Sequence, residues 1–251
     1  MISILISSYG RKEVIELCIE AMRKRTDYPE YDIVVFDSSG DGTETRQYLE
    51  QQRDAGNVQL LTTPNKVEHG EALNNLLEYC KSPLACLLDS DVEVLARDWL
   101  TSLTQKLSSL GVAMYFPLGI RFKTMPFAAL YAPIYWPVCM LLNMELYRKL
   151  GKIDWRIKRF SLDEYPHLGR FPKEQIEARK RDYVMGDTGW GFAEKVLFDN
   201  PINATMETLD WGWWRTKIKH YGGMTSEKPD NPRVVDRWKE LRVRLEQIKK
   251  E

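Results

Sequence analysis

From Ile2 to Val92 the chain alternates between short apolar runs of strand type and amphipathic stretches, and few folds accommodate that alternation. Strand patterns fall at Ser3–Ser7, Ile33–Asp37, Val58–Leu61 and Leu84–Asp89. Between them, helices fit Lys12–Arg25, where Val14, Leu17, Cys18, Ala21 and Met22 share one face, then Thr43–Ala55 and Glu71–Tyr79. Thr43 is placed to cap the second helix, and Arg46 and Glu50 stand at the i,i+4 spacing of a surface ion pair. Strand and helix in alternation predict a mostly parallel central sheet flanked by helices. Open α/β sheets bind ligands outside the carboxyl ends of their strands. Three polar segments emerge at that edge: Ser8-Tyr9-Gly10, Asp37 and Asp89-Ser90-Asp91.

The last of these carries the clearest chemistry. Leu84-Ala85-Cys86-Leu87-Leu88 is wholly apolar and stops abruptly at Asp89-Ser90-Asp91, so a buried strand delivers two carboxylates at its tip. Oxygen ligands of this kind suit Mg²⁺ or Mn²⁺, which are held by one or two carboxylates together with substrate phosphates. An isolated Asp-x-Asp is weak; a second apolar strand ending in Asp37 and the small-residue loop Ser38-Ser39-Gly40-Asp41-Gly42 strengthens it.

After Val92 the pattern loosens. A helix over Arg97–Leu110, a strand over Val112–Leu118 and a helix over Glu145–Leu150 are expected. Met125–Leu142 is apolar but interrupted by Pro126, Pro133 and Pro137, at the lower edge of the ~17–25 residues of a spanning helix, so it reads as buried strand and loop around a site. Residues 156–185, dense in Arg, Lys, Glu and Tyr, read as a long surface flap. The tail Arg233–Glu251 is helical, with Val234, Trp238, Leu241, Leu245 and Ile248 on one stripe. That stripe docks on its own domain, on a second copy, or peripherally on an anionic membrane.

With 251 residues, 43% hydrophobic and 29% charged, the chain has material for a large folded core. The zero net charge gives no general field for nucleic acid or anionic lipid. Cys18, Cys80, Cys86 and Cys139 lie in apolar or helical patterns without C-x-x-C spacing, which predicts buried free thiols and a cytoplasmic setting.

Four motifs, in order, resemble family 2 glycosyltransferases: Ser3-Ile4-Leu5-Ile6-Ser7-Ser8-Tyr9-Gly10-Arg11, Phe36-Asp37-Ser38-Ser39-Gly40-Asp41-Gly42-Thr43, Asn65 with Gly70-Glu71-Ala72-Leu73-Asn74, and Leu87-Leu88-Asp89-Ser90-Asp91. In the second half, Arg148-Lys149-Leu150-Gly151-Lys152-Ile153-Asp154 is similar to the family's Gly-Gly-Phe-Asp region. Gly186-Asp187-Thr188-Gly189-Trp190 occupies the place of its acidic motif, and His220-Tyr221-Gly222-Gly223-Met224-Thr225-Ser226 resembles its histidine element.

The resemblance implies a GT-A-like fold over residues 1–226, with a nucleotide-binding half at 1–100, an acceptor-side half at 101–226 and a C-terminal amphipathic helix at 227–251. It implies a nucleotide-sugar donor, UDP-linked by default, and Mn²⁺ or Mg²⁺ on Asp89, Asp91 and His220. Ser8, Tyr9, Arg11, Asp37, Gly70, Asn74, Asp89 and Ser90 are the implied donor-site residues. Asp37 would accept the imide N–H of uracil and Tyr9 would stack on the base. Asp187 is the implied general base of an inverting transfer, with Asp154 and Asp163 next in line.

The implied acceptor is a hydroxyl of a glycan or a lipid-linked glycan, a nucleic-acid acceptor being the less favoured choice. Trp211, Trp213 and Trp214 divide evenly between sugar stacking and core. A sugar nucleotidyltransferase is the rival enzyme, but Ser7-Ser8-Tyr9-Gly10-Arg11 is not a glycine-rich phosphate loop. A non-catalytic glycan-binding module is the rival outside enzymes.

Overall fold

The computed structural model describes residues 1–107, 111–115, 138–156, 158–160, 184–186, 190–197, 201–203, 205–209, 211–222 and 232–251. Its first part follows the expected alternation: β1 (Ile2–Ser8), α1 (Lys12–Arg25), β2 (Tyr31–Asp37), α2 (Glu44–Asp54), β3 (Gln59–Thr62), α3 (His69–Tyr79), β4 (Leu84–Asp89) and β5 (Val92–Val94). Then come α4 (Trp99–Lys106), β6 (Gly111–Tyr115), β7 (Cys139–Asn143), α5 (Met144–Lys149), β8 (Lys158–Phe160) and β9 (Val184–Gly186). The described elements end with α6 (Trp190–Leu197), β10 (Thr205–Thr208), α7 (Trp211–Lys217), β11 (Ile218–His220) and α8 (Pro232–Lys250).

The main sheet has the order β10-β6-β7-β4-β1-β2-β3. Its β3-β2-β1-β4 half is parallel throughout, and β7 runs antiparallel between β4 and β6. Both faces are covered, which is why the central strands read as continuous apolar runs. Ile2, Ile4 and Ile6 of β1 pack on one face with α1, α4 and α8, while Leu5 joins the other face with α3 and α5. Ser3, between them, is buried and forms a hydroxyl pair with Ser82 at 2.7 Å.

Several local expectations change. Thr43 caps α2 as read, accepting from the Arg46 amide at 3.2 Å. Arg46, however, turns inward to Asp37 and Asp41, so the surface pair expected with Glu50 gives way to a buried one. The helix expected over Arg97–Leu110 runs only from Trp99 to Lys106, because Leu107 takes up extended backbone. Of the Met125–Leu142 segment, the part from Cys139 onward is a buried strand, and residues 125–137 lie outside the described residues. The 156–185 flap also lies mostly outside them; its ends pair antiparallel as β8 and β9, Lys158 opposite Gly186. No described helix is long and apolar enough to cross a membrane. All four cysteines are free and buried, as their setting in the sequence predicts.

The C-terminal stripe docks on its own chain. Leu241, Leu245 and Ile248 of α8 are buried in the core cluster that contains α1, with Trp238 partly buried against it.

Candidate functional site

At the carboxyl end of β4 the chain makes a two-residue turn, Ser90-Asp91, and re-enters extended structure as β5. The turn leaves Asp89 and Asp91 on either side of buried Ser90. β11 pairs antiparallel with β5, His220 opposite Val92, and the Tyr221 amide donates to the Asp91 carbonyl at 3.0 Å. Pairing of the ribbon therefore carries a histidine from the far end of the sequence onto the acidic turn. His220 Nε2 lies 3.1 Å from Asp91 Oδ1 and 3.8 Å from Asp89 Oδ2, and one ligand atom from each of the three residues falls within 4.8 Å of the others.

The electrostatics of this cluster favour a cation. Burial pushes the Asp89 carboxyl up to about 6; the imidazoles of His69 and His220 oppose that rise and the Asp91 charge adds to it. Burial works against a charged His220, yet its hydrogen bond to Asp91 and the two carboxylate charges outweigh burial and raise its pKa. Two carboxylates thus share too little solvent, and a proton on the imidazole offsets only part of their charge. Two carboxylate oxygens and one imidazole nitrogen are also an acceptable donor set for Mn²⁺ or Mg²⁺. The residues present fit such an ion. His69, at the first turn of α3, escaped the sequence reading; its Nε2 lies 3.8 Å from Asp89 Oδ1, and no local pattern announces it.

The neighbouring loops are stitched together by their own polar groups. The Ser38 amide donates to the Ser8 carbonyl at 3.0 Å, and the Thr45 hydroxyl donates to the Gly10 carbonyl at 2.6 Å. Asp37 sits at the tip of β2 as expected but is fully buried. Arg46 Nε donates to its Oδ2 at 2.6 Å, and the amide and hydroxyl of Ser39 donate to Oδ1 at 3.1 and 2.6 Å. The carboxylate expected to accept from uracil is engaged within its own loop in this structure, where it also braces that loop. Tyr9 is half-buried with the Lys66 ammonium 4.0 Å from its ring centroid, and exposed Arg11 lies over Trp238 at 5.2 Å.

Gly70 and Asn74 have a structural reason of their own. Asn74 donates to Asp154 Oδ1 at 2.9 Å and accepts from the Trp155 amide at 3.0 Å. A Cβ on Gly70 would collide with the Trp155 carbonyl, and one on Gly191 with the Asp154 carbonyl. The Asp154–Arg156 loop is thus gripped between α3 and α6, and bare backbone at both glycines permits the approach. Arg156 clasps Asp154 through Nε and Nη2, and this hydrogen bonding holds the Asp154 carboxyl well below the usual carboxylate range. That engagement weighs against Asp154 as a base. Asp187 and Asp163 lie outside the described residues. Trp213 and Trp214 are core, with Trp213 Nε1 donating to Ser102 at 2.8 Å, so they present no sugar-stacking face.

A mostly parallel sheet covered on both faces, with its carboxylate and imidazole cluster at the carboxyl end of a central strand, is the GT-A-like α/β arrangement. A galactosyltransferase, LgtC, solved in complex with donor and acceptor sugar analogs, shares the fold: TM-score 0.59 at 11% identity, covering 98% of this chain and 95% of that one. The chain belongs to glycosyl transferase family 2, whose model matches residues 3–160.

The mannosyltransferase PcManGT of Pyrobaculum calidifontis, solved with GDP-Man and Mn²⁺, is 22% identical over 61% of this chain and 47% of its own, with a TM-score of 0.48. The uncharacterized protein y4gI of Sinorhizobium fredii is 24% identical over 125 residues. That stretch is 47% of this chain and only 14% of the relative's length.

Proposed function

We propose that the chain transfers a sugar from a nucleoside-diphosphate donor, a UDP-sugar by default, to an acceptor hydroxyl, with inversion at the anomeric carbon. The observation that supports this reading is the Asp89, Asp91 and His220 cluster at the ligand-binding edge of a family 2 sheet. A diphosphate approaching two carboxylates is repelled unless a cation stands between them. Asp91 and His220, with Asp89, would hold Mn²⁺ or Mg²⁺, and such an ion would supply positive charge against the departing diphosphate.

Tyr9 offers its ring to the base once Lys66 moves aside, and the stitched loops around Ser8, Arg11, Asp37 and Ser90 shape the nucleotide pocket. Gly70 and Asn74 act one layer out, by holding the Asp154–Arg156 loop against α3. Asp187, which follows β9 in the sequence, takes the proton of the acceptor hydroxyl as that oxygen attacks the anomeric carbon. The acceptor is a glycan or lipid-linked glycan.

Thermal stability against UDP-, GDP- and dTDP-sugars, with and without Mn²⁺, tests this directly, because a ligand that binds only the folded chain raises its stability. Stabilisation by one nucleotide sugar should require the metal and vanish in Asp91→Ala. A protein indifferent to all three donors, or an Asp91→Ala variant with unchanged metal dependence, contradicts the proposal.

A further inference from the structure

The ribbon that brings His220 to Asp91 is held from behind by a buried charge. Glu93, in the middle of β5, is fully buried and accepts from groups on three other segments. Arg244 of α8 donates from Nε and Nη2 at 3.0 and 2.5 Å, Arg25 of α1 from Nη1 at 3.1 Å, and Tyr221 from its hydroxyl at 2.8 Å. Glu93 is two residues from Asp91, and Tyr221 adjoins His220. The same helix touches the ribbon twice more. Arg237 donates to the Gly222 carbonyl at 2.6 Å, and Glu240 pairs with Lys219. Positions 237, 240 and 244 form one helical row, and their contacts fall at 219, at 221 through Glu93, and at 222, on both sides of His220.

We propose that α8 is a positioning element for the metal site, and that Arg244, acting through Glu93 and Tyr221, sets the spacing between Asp91 and His220. A β-ribbon this short is marginal by itself. Its register alone does not hold two side chains to the tolerance a small cation demands. A buried carboxylate with no partner is strongly unfavourable, so Glu93 keeps β5, Tyr221, α1 and α8 in one relative placement. The inference rests on the metal reading above.

The test is Mn²⁺ titration of the full chain by calorimetry, with melting followed by circular dichroism on the same samples. Arg244→Met should weaken Mn²⁺ binding about tenfold or more, the usual effect of losing an outer support of metal ligands. Tyr221→Phe, a milder change that remains usable should Arg244→Met not fold, should weaken it by less. Lys249→Met breaks another contact of the same helix, the Lys249–Glu16 pair at 2.9 Å on α1, and should leave Mn²⁺ affinity unchanged whatever it does to melting.

Wild-type affinity in both Arg244→Met and Tyr221→Phe, in a protein whose Asp91→Asn variant loses Mn²⁺, overturns the brace and leaves the metal site standing. Equal weakening by Lys249→Met also overturns it, since general docking of α8 would then explain the effect. No Mn²⁺ binding by the wild type sinks the metal reading and this inference together.

Discussion

Asp187 and Asp91 are expected to fail in different ways, and the difference separates chemistry from binding. A general base acts on the acceptor, so Asp187→Asn should keep donor and metal affinity near wild type while transfer falls about 10²–10⁴-fold. Single-turnover transfer measured beside nucleotide titration makes the split visible; loss of donor binding in this variant would make Asp187 a donor-site residue. Residues also mark how far single positions can be read from sequence. The position of Asp89 and Asp91 at a strand tip was legible because the apolar run Leu84–Leu88 stops at them and a second strand ends in Asp37; alone, an Asp-x-Asp is a weak signal. Asp37 was legible in place but its ion-pair partner was not, because Arg46 sits on a helix face where an i,i+4 pair with Glu50 has equal local merit. Glu93 carries a local signal of its own, an acid between Val92 and Val94 in a strand. A charge in such a run must find partners.

Among elements, α8 is the one whose role sequence leaves open. Its stripe at 3,4 spacing fits a core, a second copy or a membrane equally well, since each presents an apolar surface. The structure puts Leu241, Leu245 and Ile248 against α1. Leu241→Ala should therefore lower unfolding free energy by about 2–5 kcal/mol, as for other fully buried leucines. Urea denaturation checks this, and an unchanged midpoint would mean that the stripe is not core. The short β5 and β11 were invisible as a pair for a related reason. Three-residue strands carry no periodicity, and nothing local says that residues 218–220 pair with 92–94.

For the whole molecule, donor, metal and fold are linked equilibria. Donor at one hundred times its Kd should add about 2.7 kcal/mol, a rise of several degrees in Tm. On the proposed reading the diphosphate needs a cation beside Asp89 and Asp91, so EDTA should erase that rise, and it should lower the Tm of the donor-free protein by no more than bound metal alone contributes. A donor-induced rise that survives EDTA would point to a metal-independent nucleotide site.

The order of strands and helices from Ile2 to Asp89, the polar edge they share and the acids at that edge follow from sequence alone. Apolar periodicity and strand-end chemistry are local properties, readable over a dozen residues. Tertiary structure decided the partner of each polar group: Arg46 on Asp37, Asn74 on the Asp154 loop, Arg244 on Glu93, and His220 on Asp91 across 129 residues of chain. Such pairings depend on how whole elements pack, and many partners of equal local merit compete for each charge. Only burial, which makes an unpartnered charge too costly, selects among them.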